Sequence, residues 1–266
     1  MIVLKIGGSI SGEYSSDLIE DLRQHLTKGV VIVHGGGRVV NELSSRIGIE
    51  QKFYQSVSGF KTRLTDKETL DLIKMVFAGK INKEIVSELI KKGIKAIGLS
   101  GVDGELVLSV RKKAIKIIDE RGRVRIIRDD LSGKPVRINV DLLKSMLSLG
   151  YVPVIAPIGI DENGQILNLD GDRVAARIAG EMGCEKLVIF TDVSGVLIDD
   201  KLVKTIKASE LEQYIKKVGG GMKRKLYACK EAISLGVKEV IIASGLRRNP
   251  LKKALAHDEC TVILSE

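Results

Sequence analysis

At 266 residues, with 44% apolar and 29% charged residues, the chain can bury a large core as one α/β domain or two closely joined lobes. No apolar run approaches the roughly 20 residues that span a bilayer as a helix. The start at Met1-Ile2-Val3-Leu4-Lys5 lacks a basic leader, so the expected location is the cytoplasm. A net charge of +9 favours an acidic partner, but five Tyr, four Phe and no Trp leave no aromatic platform interleaved with a basic run, against nucleic-acid binding.

Short Val- and Ile-rich runs predict strands at 2–6, 30–34, 95–98, 152–156, 186–191, 238–242 and 260–264. Helical spacing fits 16–27, 38–47, 66–92, 139–149, 170–182, 207–217, 222–236 and 250–256. Thr65 with Glu68 resembles a capping box opening the long run at 66. Alternating strands and helices predict an α/β fold with a largely parallel sheet covered on both faces. Segment 105–137 breaks the rhythm and reads as hairpins at 106–108, 115–118 and 124–127, with a turn at Asp119-Glu120-Arg121-Gly122. Residues 111–137 hold ten Lys and Arg against four acids. The best boundary between an N-terminal lobe (1–165) and a C-terminal lobe (166–266) of one continuous domain lies at Asp161-Glu162-Asn163-Gly164.

The first forty residues carry the strongest chemical signal. Lys5-Ile6-Gly7-Gly8-Ser9 and Val33-His34-Gly35-Gly36-Gly37 each follow a buried-type strand and precede a helical segment. Such junctions place backbone N–H groups and helix N-termini at one sheet edge, where anions bind. No G-x-x-x-x-G-K-[ST] loop, dinucleotide fingerprint or protein-kinase signature is present. His25, His34 and His257 make no readable catalytic triad, and His34 reads as a packing or bonding residue beneath its glycine loop. Cys184, Cys229 and Cys260 are isolated, lack metal-ligand spacing and read as reduced thiols, with Cys184 at a helix–strand junction.

Eight motifs in order resemble the amino-acid kinase family, acetylglutamate kinase branch. They are the two glycine loops, Gly59 through Arg63-Leu64-Thr65-Asp66, Gly79-Lys80-Ile81-Asn82-Lys83, Gly98 through Gly104, Asn168-Leu169-Asp170-Gly171-Asp172, Thr191-Asp192-Val193-Ser194-Gly195-Val196, and Gly221-Met222-Lys223-Arg224-Lys225. Two details depart from ordinary acetylglutamate kinases. The arginine stands four residues after Gly59 rather than two, and the acidic motif is N-L-D-G-D rather than N-x-N-A-D. Both resemble the LysW-type branch, which phosphorylates aminoadipate or glutamate carried on a small acidic amino-group carrier protein in lysine and arginine biosynthesis. The basic segment 111–137 suits such a partner.

The resemblance implies a three-layer αβα sandwich of the amino-acid/carbamate kinase type with β-hairpin insertions. It implies a homodimer, and transfer of the γ-phosphoryl group of ATP to a carboxylate, with Mg²⁺ carried on the nucleotide phosphates and no dedicated protein metal site. A carboxylate is already ionised at neutral pH, so no general base is required. Lys5 and Lys225 align with the two lysines that flank the transferring group, and Asp172 with the acid that holds them. Asp172 also reads as a helix N-cap. Gly36, Gly37, Arg63 and Asn168 align with substrate-binding positions, Arg63 facing the free α-carboxylate. Gly7, Gly8, Thr191, Asp192, Gly195, Val196, Lys217 and Gly219 align with the ATP site. A kinase for free N-acetylglutamate is the alternative, and a non-catalytic amino-acid-binding regulator a distant one.

Overall fold

The computed structural model describes residues 1–8, 16–25, 29–57, 59–118 and 121–266. Ser9, the end of the first predicted helix and residues 119–120 of the predicted turn lie outside them.

Strand β1 (Ile2–Ile6) precedes helix α1 (Ser16–Arg23), and β2 (Val30–His34) enters α2 (Gly37–Ile47) across Gly35 and Gly36. The hairpin β3 (Phe53–Ser56) and β4 (Lys61–Arg63) follows. Helix α3 (Lys67–Lys74), a π-helical stretch (Met75–Ile81) and α4 (Asn82–Lys91) then run on without a break. Strand β5 (Ala96–Ser100) leads to β6 (Val107–Arg111), β7 (Ile115–Ile118), β8 (Val124–Ile127) and β9 (Gly133–Ile138). After α5 (Val140–Ser148) come β10 (Val152–Ala156), β11 (Ile158–Ile160), β12 (Ile166–Asn168), α6 (Gly171–Glu181) and β13 (Lys186–Thr191). The chain ends through β14 (Leu197–Ile198), β15 (Lys201–Leu202), β16 (Thr205–Lys207), α7 (Leu211–Lys217), α8 (Gly220–Ser234), β17 (Glu239–Ser244), α9 (Pro250–Leu255) and β18 (Thr261–Leu264).

The fold is a three-layer αβα sandwich. Its eight-stranded sheet has the order β16-β18-β17-β13-β1-β2-β10-β5. The six strands from β17 to β5 are parallel, while β18 runs antiparallel to β17 and pairs in parallel with β16. Strands buried on both faces explain the unbroken Val/Ile runs. Strand alternation divides the core in two. Ile2, Leu4, Ile6 and Phe190 face α1, α2, α4 and α9, whereas Val3, Val31, Leu187 and Ile189 face α6, α7 and α8. Lys5 has the parity of Val3. It therefore points toward α6 and α8.

The seven strands predicted for the central sheet all form. The short strands β3, β4, β9, β11, β12 and β14–β16 carry no long apolar run, and the sequence reading did not find them. Segment 105–137 divides between two smaller sheets. Strands β6 and β9 pair in one beside β11 and β12, and β7–β8 extends the β3–β4 hairpin in the other. The predicted lobe boundary is the turn of the β11–β12 hairpin, where Asp161 Oδ1 accepts from the backbone N–H groups of Asn163 and Gln165. The capping box at Thr65 does not form. Asp66 caps α3 instead, accepting from Thr69 N at 2.9 Å. Thr65 is buried and donates its N–H to Asp130 Oδ2. Among the described residues no helix is long and apolar enough to cross a membrane.

The two glycine loops lock together at the carboxyl edge of β1 and β2. Gly7 N donates to Phe190 O, and Gly35 N donates to Ile6 O. A Cβ on Gly35 would lie 2.7 Å from Gly8 N and 3.0 Å from Gly8 Cα, both backbone atoms that cannot swing away. Gly35→Ala is expected to cost about 1–3 kcal/mol in denaturant unfolding through overpacking. A variant of unchanged stability would show that the loops part freely.

Candidate active site

Three groups from distant parts of the chain meet beside these loops. Lys5 Nζ, at the end of β1, lies 2.7 Å from Asp172 Oδ1, and Lys225 Nζ, on the second turn of α8, lies 3.2 Å from Asp172 Oδ2. All three side chains are buried or nearly so, at 6%, 8% and 13% exposure for Lys5, Asp172 and Lys225. Asp172 is free for this work because it is not the helix cap. Asp170 is, its Oδ1 accepting from Asp172 N and Arg173 N.

Burial presses the Lys5 ammonium below its ordinary value, against the opposing pull of Asp172. Burial would raise the Asp172 carboxyl, but Lys225 and Lys5 outweigh it and hold the group well below the usual carboxylate range. Burial would lower Lys225, yet Asp172 more than offsets it and the ammonium is raised. The cluster thus carries two cations and one anion, and its uncompensated positive charge can stabilise an incoming anion.

His34 is fully buried under the second loop, and burial pushes it down to about 4, so the ring is neutral. Gly35 O can only accept, which places the proton on Nδ1 at 3.0 Å. The remaining Nε2 accepts from Asn82 Nδ2, which also donates to Val154 O at 2.8 Å. These contacts tie the loop to β10 and to the start of α4, a link that sequence spacing does not reveal.

A cavity of about 870 Å³ opens between the β3–β4–β7 sheet, the first turn of α6 and one face of α8. Gly37, Arg63 and Asn168 line it together. Gly36 lies behind the wall, where a Cβ would come within 2.2 Å of Ile81 Cδ1 and 2.8 Å of Phe77. Arg63 stacks 4.9 Å over the Phe53 ring and donates to Gln51 Oε1, Asn41 Oδ1 and Gly37 O, all neutral groups. Asn168 Nδ2 donates to Thr65 Oγ1 at 3.0 Å. Lys61, Lys112, Lys116, Arg173 and Arg224 also line the cavity, against two acids, Asp170 and Glu231. Glu231 is bonded to Arg173, with Nε at 2.8 Å from Oε2. Among these five cations Lys61 and Arg224 lie in motifs shared with the kinase family and Lys112 and Lys116 in the basic segment 111–137, yet the sequence pattern assigned none of them to the site.

The residues that the resemblance assigns to the nucleotide are spread over several elements. Gly7 and Gly8 follow β1, and Thr191 ends β13 beside them, its hydroxyl donating to Asp192 Oδ1. Gly219 caps α8, and Gly219 and Gly221 have open space where a Cβ would be. Lys217 ends α7 and lies over Tyr214. Gly195 and Val196 are tied to β18 instead: Val196 N donates to Thr261 Oγ1, and a Cβ on Gly195 would lie 2.4 Å from that oxygen. Val196 is fully buried, so any contact it makes with a ligand passes through its backbone or its neighbours.

The chain belongs to the amino acid kinase family, whose profile matches residues 1–244. It is a phosphotransferase. It is 43% identical over 257 residues to the LysW-aminoadipate/LysW-glutamate kinase of Metallosphaera sedula, covering 96% of this chain and 97% of that one. Its fold resembles a crystal structure of a Streptococcus mutans protein with a TM-score of 0.82 at 23% identity, covering 100% and 98% of the two chains. The carbamate kinase of Giardia lamblia bound to AMP-PNP shares the fold with a TM-score of 0.66 at 17% identity, over 99% and 98%.

Because the folded-state pKa of Asp172 is depressed, its stabilising contribution is complete above the unfolded carboxyl pKa of about 3.9 and fades as pH falls below it. Asp172→Asn leaves two buried ammonium groups facing each other, a loss on the order of 3–5 kcal/mol near neutral pH. Urea unfolding of both proteins between pH 7 and pH 3 is expected to show the gap narrowing toward the acid end. A gap independent of pH would rule out the charged carboxylate as its source.

Proposed function

We propose that the chain transfers the γ-phosphoryl group of ATP to the side-chain carboxylate of aminoadipate, glutamate or both, each joined through its amino group to a small acidic carrier protein. The observation that carries this reading is the buried Lys5–Asp172–Lys225 cluster next to a wide cationic cavity, whose wall includes the chain neighbours Asp170, Arg173 and Arg224. An oxygen of the substrate carboxylate attacks the γ-phosphorus, the bond to the ADP oxygen breaks, and an acyl phosphate results. Both reactants are anions, so the barrier is dominated by charge repulsion and by positioning.

In this reading Lys5 and Lys225 flank the transferring group and Asp172 holds the two ammonium groups apart and aimed. Gly7 and Gly8 face the phosphates, and because Phe190 O holds the Gly7 N–H, Gly7 serves by letting the phosphates come close to the backbone. Gly36 and Gly37 hold the attacking carboxylate at the start of α2, while Arg63 and Asn168 hold the opposite, α-carboxylate end. Thr191, Asp192, Gly195, Val196, Lys217 and Gly219 border the nucleotide. Mg²⁺ enters on the ATP phosphates and neutralises part of their charge; Asp172 is already engaged by two ammonium groups and is not a spare ligand. Residues 1–165 then supply most of the substrate site, joined by Asn168, and 166–266 most of the nucleotide site, joined by Gly7 and Gly8. The chain works as a homodimer in the cytoplasm.

The relative from Metallosphaera sedula bears a name that specifies LysW-bound substrates. The wall of cations leading outward from Arg63 suits an acidic partner better than a small free metabolite. Initial rates with carrier-bound aminoadipate, carrier-bound glutamate and free N-acetylglutamate test the reading, and efficient turnover of the free compound alone would overturn it. Lys225→Met keeps the Lys5–Asp172 pair and is expected to lower kcat by about 10²–10³-fold with the fold retained. Near-normal kcat would remove Lys225 from the reaction.

Arg121, Arg123 and Arg125 lie exposed at the tip and on β8 of the β7–β8 hairpin. Reversing all three to Glu is expected to raise KM for the carrier-bound substrate and flatten its salt dependence. Unchanged salt dependence would place the carrier elsewhere.

A further inference from the structure

The reaction proposed above uses neither Gly79-Lys80-Ile81-Asn82-Lys83 nor Gly98 through Gly104. The two motifs meet under the second glycine loop. Asn82, at the start of α4, is fully buried, and its Nδ2 donates to Val154 O at 2.8 Å and to Leu99 O at 3.3 Å. Lys83 Nζ donates to Asn82 Oδ1 at 3.0 Å and to Gly98 O at 3.2 Å. Gly98 makes the room, since a Cβ there would run into Asn82 Oδ1.

These partners settle which way the Asn82 amide faces. Both carbonyls only accept, so Nδ2 is turned toward them, and an ammonium only donates, so Oδ1 is turned toward Lys83. Nδ2 is also the atom that stands 3.4 Å from His34 Nε2. An amide nitrogen does not accept, so Nε2 carries the lone pair and the ring proton sits on Nδ1. Gly35 O, 3.0 Å from Nδ1, demands the same tautomer independently. Burial, opposed by the bond to Gly35 and aided by Lys5 and Lys83, keeps the ring neutral.

The Gly35–Gly36 peptide is trans, so its N–H points opposite to its C=O. With the carbonyl bonded to His34, the Gly36 N–H points away from the ring. Gly36 N and Gly37 N both border Gly8, at 2.9 and 3.0 Å from where a Cβ on Gly8 would be. A flipped peptide would turn a carbonyl oxygen toward the incoming anions in place of the N–H.

We propose that His34 and Asn82 are positioning residues for the acceptor carboxylate: Asn82 fixes the imidazole with its proton on Nδ1, and that proton holds the Gly35–Gly36 peptide with the Gly36 N–H on the substrate side. This deepens the function proposed above and rests on its placing of the carboxylate at Gly36 and Gly37. Neither side chain touches the substrate. Both act through the backbone of the loop.

Two measurements test this in the full chain. The first is nitrogen NMR with ring-labelled histidines, of which there are three, His25, His34 and His257. The signals that vanish in His34→Asn belong to His34. They are expected to show a protonated Nδ1 and a bare Nε2, unchanged between about pH 8 and about pH 6. A proton on Nε2 would overturn the proposal. In Asn82→Ala the proton is expected to spread over both nitrogens, and an unchanged ring would strike Asn82 from the pair.

The second is steady-state kinetics. Asn places an amide nitrogen near the Nδ1 position, and Gln places one near Nε2. His34→Gln is expected to lower kcat/KM for the carboxylate substrate about 10–100-fold, with KM for ATP within about twofold, and His34→Asn to recover most of that loss. Equal losses in the two variants, or none in His34→Gln, would make His34 a packing residue and sink the idea. If the wild-type chain turns over only free N-acetylglutamate, the carrier reading fails, and the same comparison made on that substrate decides the positioning role separately.

Discussion

Two ammonium groups sharing one buried carboxylate set the terms for the rest of the molecule. Lys5 comes from the first strand, Asp172 from the start of α6, and Lys225 from α8. Removing such charges from water is expensive, and the attraction within the cluster repays that only if the geometry holds. The parallel sheet provides the geometry. Strand parity turns Lys5 toward α6, and Asp170 takes over the capping duty that would otherwise occupy Asp172. The cluster keeps a net positive charge in a water-poor place, and the group that best completes it is an anion in transit.

The glycine loops follow from the same need. An anion can reach Lys5 only if the backbone around it is bare. Gly8 and Gly35 touch backbone to backbone, and Gly36 packs under Phe77 and Ile81. Below them His34 and Asn82 bind loop, strand and helix through neutral hydrogen bonds. A charged group at that position would compete for the incoming anion, and burial keeps His34 uncharged.

The central sheet was legible in the sequence because doubly buried parallel strands leave continuous Val/Ile runs, and the glycine loops mark their ends. The cluster was legible through motif order, since no local pattern says that Lys5 meets Lys225. Four features were not legible. The short strands β3, β4 and β9 are half-exposed and lack a run. The cap at α6 could have been Asp170 or Asp172, and only the backbone path decides. Thr65 resembled a cap by spacing, yet tertiary burial beside Asp130 claimed it. The cavity cations come from two hairpins and two helices, so nothing in the chain order groups them.

The cavity divides its work by charge. Around the Lys5–Asp172–Lys225 cluster the chemistry needs strong positive charge, because two anions must approach. Arg63, bonded to Gly37 O and to two side-chain amides, is poised by neutral partners, which leaves its charge available to a carboxylate rather than cancelled by an acid. The wide opening lined by Lys61, Lys112 and Lys116 leaves room for a substrate joined to something larger, and its cations suit an acidic one.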